Sequence, residues 1–380
     1  MHSLYTQRNI SKLFKKSIKK EIVDNLLISM AKNCDYTKRD IVNTVIFAVS
    51  NNIFVEYGSK HLRGKGKPSP SSDDVFYHLN KLAKKDVVWL FNQVNHNLLS
   101  QAKKQGVFKK SITCGLDIHK IPWYGKTKDK HVLGMEKVRG TSFGHGYASI
   151  ECVENGKRFT LSAYPLDQFT TKRGFITSLI EKARECVDIK YLFLDRGFFN
   201  VESIETLMDL SIYFVIPAIR NKQIKDIVKG FKEKCKNGLT YEERYYLTKS
   251  YTMRRGKNSS VTFNLVVIVE SPSKLGDPWK DFVYITNIPV TSDNVFHLAE
   301  EYRKRWGIET GYRMKEDVRG RTCSRNYVIR LFFQLLSIIL YNLWQLCNLI
   351  IIIEINWNER GYPVILEEFK DNLSDFILSG

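Results

Sequence analysis

Between residues 111 and 217, strand-like and helix-like segments follow one another in an order that leaves few possible folds. Three segments rich in β-branched and aromatic residues come first, before a regular alternation of helix-like and strand-like segments. The segments are, in chain order, 111–121, 146–153, 158–164, 171–186, 191–195, 200–210 and 212–217. The first three strands predict antiparallel pairing, whereas strands that alternate with helices predict parallel pairing under a helical cover. We therefore expect an α/β domain.

The rest of the chain divides around this domain where the pattern changes. Residues 1–108 are predicted to be basic and mainly helical, which suits a DNA-binding domain, although a purely structural helical cap fits the same pattern. Residues 218–290 lose the alternation and predict a β-rich insertion into a core whose first part is residues 109–217. Residues 291–380 predict the second part of the core with C-terminal helices, beginning with one long charged helix over 294–318.

The charge of the chain favours a polyanionic partner. Among its 380 residues, 59 are Lys or Arg and 40 are Asp or Glu, which gives a net charge of +19. Residues 1–110 hold 20 of these basic residues and 8 of the acidic ones, so most of the surplus lies in the first third. Such a surplus is typical of proteins that bind nucleic acid, although a basic protein without such a partner has the same composition.

The cysteine pattern excludes two classes of small stabilised domain. Seven cysteines are scattered along the chain, and none forms a C-x-x-C pair. This argues against a zinc ribbon and against a disulfide framework, and it fits a reducing cytosol. The Lys-rich N-terminus also lacks the apolar region of a signal peptide.

One apolar segment raises the question of a membrane. Residues 331–353 carry no charge and are long enough to span a bilayer. The segment also contains Gln334, Ser337, Asn342 and other polar residues, and it directly follows a charged helix. We therefore expect a core helix that is buried on nearly all sides and no membrane partner.

Two acidic residues stand out against their apolar strands. Asp117 lies inside the first strand, where an acid is costly unless it is paired or binds a cation. Asp195 ends the strand 191–195, and Gly197 behind it allows another backbone or a phosphate to approach closely. In this element order the two strands would lie side by side. The two carboxylates would then form an oxygen-rich site suited to Mg²⁺ or Mn²⁺.

A third acid is expected from the long helix that follows the insertion. Tyr302, Arg305 and Glu309 are three and four residues apart, so a regular α-helix would place them on one face. A solvated helix face fits the charge pattern around Tyr302 and Arg305 as well. The spacing nevertheless separates Glu309 from the other acids of this helix.

Taken together, these residues resemble the DDE transposases of the insertion-sequence 4 group, members of the ribonuclease-H-like superfamily. The resemblance spans about residues 109–350. It depends on Asp117 in the first strand, on Asp195-Arg-Gly-Phe198 and on Tyr302-x-x-Arg305-x-x-x-Glu309. The family also has a β-strand insertion between its second Asp and its Glu. The resemblance therefore implies a ribonuclease-H-like core interrupted by a β-rich insertion.

The resemblance also implies an activity and a set of roles. Asp117, Asp195 and Glu309 would be the catalytic residues and would hold two Mg²⁺ (or Mn²⁺) ions for in-line phosphoryl displacement. Tyr302 and Arg305 would contact the phosphates of the element's DNA ends. The expected reaction is cleavage of those ends and their transfer to double-stranded target DNA. A homodimer is expected in the DNA complex, because two ends must be held together.

One position departs from the family pattern. The family commonly has Lys seven residues after the Glu, and Glu316 occupies that position here. Lys315 is one residue short, and Arg313 lies closer to the face that carries Glu309. Either Arg313 or Lys315 is expected to supply the missing phosphate contact.

Three further arginines are expected to contact DNA from loops. Arg196 directly follows Asp195, and Arg254 and Arg255 belong to Arg254-Arg255-Gly256-Lys257, which predicts the tip of a basic hairpin. A solvated turn has the same sequence character as a phosphate contact at this tip.

Two other functions fit much of the same pattern. One is a ribonuclease-H-like nuclease or resolvase that cuts DNA without strand transfer. The other is a non-catalytic DNA-binding derivative of a mobile element, against which the three intact acids argue. For each of these functions we expect a cytoplasmic protein associated with the nucleoid.

Overall fold

The protein is described by a computed structural model that covers residues 21–154, 156–238, 244–256, 259–272, 274, 277–354 and 361–379. Four helices precede the sheet in this part of the chain. They are α1 (Lys38–Ser50), α2 (Val55–Gly64), α3 (Ser72–Leu79) and α4 (Lys84–Lys104). Helix α1 begins at a capping box, in which the Thr37 hydroxyl accepts from the Asp40 N–H and the Asp40 carboxylate accepts from the Thr37 N–H. A DNA-binding role for this region stays a prediction.

A single sheet lies at the centre of the described residues. Its strands are β1 (Ile112–Pro122), β2 (Val132–Val138), β3 (Thr141–Cys152), β4 (Thr160–Pro165), β5 (Ile189–Leu194), β6 (Phe214–Pro217), β7 (Arg244–Arg255), β8 (Ser259–Glu270) and β9 (Lys280–Thr286). The spatial order is β2-β3-β1-β5-β6-β9-β8-β7, and β4 also pairs with β3. Strand β1 is antiparallel to β3 and parallel to β5, and β5 is parallel to β6. The predicted α/β class is confirmed, and β2 is an additional strand.

The remaining helices alternate with these strands or follow them. They are α5 (Lys172–Arg184), α6 (Val201–Asp209), α7 (Lys222–Gly238), α8 (Val295–Arg303), α9 (Trp306–Asp317), α10 (Tyr327–Glu354) and α11 (Leu366–Ser379). Helix α7 lies where we expected turns and strands. Its buried residues Ile224, Val228 and Cys235 recur at helical spacing, and the many lysines between them obscured the pattern.

The strands between residues 218 and 290 continue the central sheet. Strand β9 pairs with β6, with Ile285 opposite Ile216, and β8 and β7 follow outward from β9. The strands of the predicted β-rich insertion therefore extend the core sheet beyond β6. Main-chain hydrogen bonds join β9 to β6, the next strand in the chain after Asp195. Strand β6 therefore has β5 on one side and β9 on the other.

Helix α10 is the core helix of the protein. By length and composition it is the one helix in the described ranges that could cross a membrane, yet every residue from Leu331 to Asn348 is buried inside the protein. Its polar residues bind other elements: Asn342 donates to the carbonyl oxygen of Thr160 and accepts from the Thr160 N–H. Such pairing removes the cost of burying an amide. Helices α4 and α9 pack against α10, so the N-terminal helices and the core share apolar packing.

A buried ion pair joins helix α9 to the sheet. The ammonium of Lys315 on α9 binds the carboxylate of Glu151 on β3, and their side chains are only 2% and 3% exposed. The rings of Tyr312 and Tyr341 lie 4.9 and 5.1 Å from the Lys315 nitrogen. Burial lowers the pKa of Lys315, and the Glu151 carboxylate opposes that shift. The pair fixes which face of α9 points at the sheet.

We expect Lys315→Met to lower the free energy of unfolding by about 3–5 kcal/mol, because the Glu151 carboxylate would stay buried without a partner. Chemical denaturation checks this value. The double variant Lys315→Met, Glu151→Leu should recover most of the loss. Lys182→Met, which removes the exposed partner of Glu185, is the control and should cost less than about 1 kcal/mol. Equal losses for Lys315→Met and Lys182→Met would contradict this account.

Candidate active site

Two carboxylates lie side by side where the parallel pairing of β1 with β5 ends: Asp195 follows β5, and Asp117 lies within β1. In the pairing of β1 with β5, Leu116 is opposite Leu194, and Asp117 and Asp195 are the next residues on each chain. Neighbouring strands are about 4.8 Å apart, so the two acids share one edge of the sheet. The structure thus brings together the two aspartates that the sequence singled out.

The surroundings of Asp117 favour a cation. Its side chain is 14% exposed. Burial raises the pKa of Asp117, Arg305 lowers it and the negative charge of Asp195 raises it further. The charged form of Asp117 is therefore unfavourable beside a second carboxylate. A bound divalent cation would remove this cost, and two carboxylates that leave room for water and a substrate phosphate are a usual donor set for Mg²⁺.

The turn after β5 fixes the position of Asp195. Its carboxylate accepts a hydrogen bond of 2.8 Å from the Gly197 N–H and caps the short 3₁₀ helix Arg196–Phe198. A Cβ on Gly197 would lie 3.0 Å from the Asp195 carboxylate, closer than ordinary contact, so glycine suits this position. Arg196 is exposed at the start of the same turn.

Tyr302 and Arg305 both reach the edge where the aspartates lie. The Tyr302 hydroxyl donates to the carbonyl oxygen of Leu194 at 3.0 Å, so it braces the end of β5. Burial raises the pKa of Tyr302 to about 12, which keeps this donor protonated. The nearest guanidinium nitrogen of Arg305 lies 3.9 Å from an Asp117 oxygen. Its Nε is buried and has no hydrogen-bond partner among the described residues.

The predicted single helix over 294–318 is interrupted at this point. Helix α8 ends at Arg303 and α9 begins at Trp306. Across the junction the N–H groups of Lys304, Arg305, Gly307 and Ile308 each bond to the carbonyl three residues earlier. Such 3₁₀ turns advance about 120° per residue instead of about 100°. The junction therefore rotates α9 about its axis relative to α8. As a result, Glu309 does not lie on the helix face that carries Tyr302, as it would in a regular α-helix.

Glu309 is exposed on α9, apart from the two aspartates. In the described ranges, no group of three or more His, Cys, Asp or Glu side chains lies close enough to hold a metal ion. The structure thus brings Asp117, Asp195, Tyr302 and Arg305 together but does not add Glu309 to them. A catalytic role for Glu309 stays a prediction.

The structure shows the surroundings of Arg313, Lys315 and Glu316, where the sequence departs from the family pattern. Arg313 is exposed one turn beyond Glu309. The expectation for Lys315 is corrected, because its ammonium is buried against Glu151 and does not reach the surface. Glu316 lies 3.1 Å from Nε2 of His119 and also pairs with Arg319. Of the two expected replacements for the family lysine, only Arg313 is accessible to DNA.

The predicted basic hairpin lies at the end of β7. Arg254 and Arg255 are exposed there, and Arg255 lies 3.4 Å from the Glu202 carboxylate at the start of α6. Lys257 lies outside the described residues. The end of β7 therefore contacts α6, the helix that follows the turn at Asp195.

Sequence reasoning missed two residues that shape the site. Glu151 is an acid inside an apolar strand, and this is the same signal that identified Asp117. The ring of Tyr312 stacks on that of His119, with 4.7 Å between the ring centroids. The Tyr312 hydroxyl lies 3.1 Å from the hydroxyl of Ser149, the residue of β3 that is opposite Asp117 in β1. No local pattern in the sequence marks Tyr312.

One family model matches part of the chain. Comparison with curated proteins finds no match. The family model described as "Transposase DDE domain" matches residues 170–343, a stretch that contains Asp195, Tyr302, Arg305 and Glu309 but not Asp117. Residues 170–343 are thus similar to a transposase DDE domain, which supports a transposase function for this chain.

Proposed function

We propose that this protein is a DNA transposase of the insertion-sequence 4 group, which cleaves the ends of its own element and joins them to target DNA. The observation that carries the proposal is the position of Asp117 beside Asp195, where the pairing of β1 with β5 ends, together with the similarity of residues 170–343 to a transposase DDE domain. The order β4-β3-β1-β5-β6 within the sheet supports a ribonuclease-H-like core. The protein would act on DNA in the cytoplasm, as a homodimer.

The residues suggest how the reaction is organised. Asp117 and Asp195 would hold Mg²⁺, and the chemistry that the bound metal supplies is activation of the attacking oxygen and stabilisation of the leaving oxygen. Arg305 would bind the scissile phosphate through its buried guanidinium. Tyr302 would keep the end of β5 in place through the Leu194 carbonyl. Arg196, exposed on the turn after Asp195, and Arg313, exposed on α9, would contact flanking phosphates.

Glu309 is proposed as a third ligand that joins the site only when DNA is bound. It follows the 3₁₀ junction by one short turn, and 3₁₀ hydrogen bonds have poorer geometry than those of an α-helix. A change in the junction would move the first turn of α9, which carries Glu309, while the Lys315–Glu151 pair holds the other end of that helix. If this proposal is right, Glu309 is needed for cleavage of DNA but does not contribute to the metal affinity of the free protein.

We expect Asp195→Asn to lower the rate of Mg²⁺-dependent DNA cleavage by about 100-fold or more, while DNA binding is retained. The amide can still accept from the Gly197 N–H, so the melting temperature should not fall. Asp188→Asn, at the opposite end of the same strand, is the control and should cleave normally. The measurement is cleavage of a labelled duplex taken from the DNA that flanks the coding sequence. Full cleavage by Asp195→Asn would refute the assignment.

We expect Glu309→Gln to abolish cleavage without changing the Mn²⁺ affinity of the free protein, because Glu309 lies outside the carboxylate pair. Asp117→Asn and Asp195→Asn should weaken Mn²⁺ binding and cleavage together. Electron paramagnetic resonance of Mn²⁺ measures the first quantity, and a cleavage assay measures the second. Loss of Mn²⁺ affinity in Glu309→Gln without DNA would show that Glu309 is a ligand from the start.

Strand transfer distinguishes the proposed function from its nearest alternative. A duplex that already ends in a 3′-hydroxyl, supplied with supercoiled target DNA, needs no cleavage step. We expect wild-type protein to join the two and Asp195→Asn to fail. Cleavage without joining would indicate a ribonuclease-H-like nuclease, and DNA binding without either reaction would indicate a non-catalytic derivative.

A further inference from the structure

A cleft of about 550 Å³ opens beside the turn that follows Asp195. It lies between the first residues of α5 and α6 and the end of β7. Three cationic side chains and one carboxylate line it, together with small polar residues: Lys172, Arg254, Arg255, Glu202, Thr171 and Asn200. The cleft therefore keeps a surplus of positive charge on the side of the protein where DNA would approach Asp195.

Lys172 connects this cleft to the candidate active site. Its ammonium donates to the carbonyl oxygen of Gly197 at 2.8 Å, within the turn that Asp195 caps. Burial lowers the pKa of Lys172, whereas the negative charges of Glu202 and Asp195 raise it. An anion in the cleft would thus lie one short turn of chain from the catalytic strand end.

Glu202 makes the contacts that a phosphate would make in this cleft. One carboxylate oxygen accepts from the backbone N–H of Arg173 at 3.1 Å, at the start of α5. The other lies 3.4 Å from a guanidinium nitrogen of Arg255. A main-chain amide and an arginine fork are common partners of nucleic-acid phosphates. The Glu202 carboxylate therefore occupies a position where a phosphate could bind, and it uses the hydrogen-bond donors that the phosphate would need.

We propose that this cleft binds a DNA backbone phosphate next to the one cut at Asp195, and that Glu202 competes with that phosphate for Arg255. The inference rests on the proposed function, because it assumes that DNA is the substrate. The Arg255 side chain is 69% exposed, and an exposed ion pair contributes little stability. A DNA strand presents many phosphates and releases counterions on binding, so it displaces the carboxylate.

The test compares the affinities of variants for DNA at several salt concentrations. Arg255→Gln and Lys172→Gln should each bind duplex several-fold more weakly. The slope of the logarithm of the binding constant against the logarithm of the salt concentration should decrease in magnitude by about one, because one phosphate contact is lost. Glu202→Gln should bind up to about fivefold more tightly, because the competing charge is gone while the amide still accepts from the Arg173 N–H. In an Arg255→Gln background this gain should disappear.

Glu205→Gln is the matched control. It removes the same charge from the same helix, and its carboxylate pairs with the Arg173 side chain outside the cleft. Equal gains for Glu202→Gln and Glu205→Gln would overturn the inference, as would wild-type affinity for Arg255→Gln and Lys172→Gln. Two probes identify the source of the phosphate: a duplex from the DNA that flanks the coding sequence, and one of the same length with scrambled sequence. An effect confined to the first assigns the cleft to the element end, and an equal effect on both assigns it to any DNA backbone.

The outcomes separate the inference from the proposed function. A wild-type protein that binds neither duplex would refute the transposase assignment and the cleft together. A wild-type protein that binds and cleaves, with cleft variants that behave like wild type, would refute the cleft alone. Melting temperatures of all variants should match that of the wild type, because each altered side chain lies at or near the surface.

Discussion

The parallel pairing of β1 with β5 is the constraint on which the candidate site depends. The register places Leu116 opposite Leu194, and so the aspartates that follow them meet at one edge of the sheet. Each acid follows a run of buried residues, Ile112–Leu116 in β1 and Leu192–Leu194 in β5. The strand register converts two costly carboxylates, far apart in sequence, into one site for a cation.

The helical layer holds the remaining residues against that edge. Helix α9 approaches β1 so closely that a Cβ on Gly115 would lie 2.3 Å from a methyl carbon of Ile308, and the Lys315–Glu151 pair fixes its rotation. Helix α10 packs behind α9. The face of α9 that points at the sheet is therefore set from within the protein, by a buried charge and by the absence of a side chain at Gly115.

Much of this arrangement could be predicted from the sequence, and the failures have physical causes. Asp117 and Asp195 were found because strand ends and apolar periodicity are local signals. Glu309 was predicted on the face of Tyr302 by regular α-helical spacing, and 3₁₀ hydrogen bonds at the junction changed that phase. Lys315 was misjudged because its partner, Glu151, lies in a distant strand. The partner of Lys315 is set by tertiary packing, which overrides local pattern, whereas the catalytic role of Glu309 stays a prediction.

The continuity of the sheet from β6 to β9 has a mechanical consequence. The arginines at the end of β7 are connected to the strand after Asp195 through successive ladders of main-chain hydrogen bonds, and not through a flexible linker. The separation between the hairpin tip and the carboxylate pair is then fixed by strand spacing and twist. Changes of loop length between these strands would alter the tip itself, but the sheet would keep the distance between the tip and Asp195 constant.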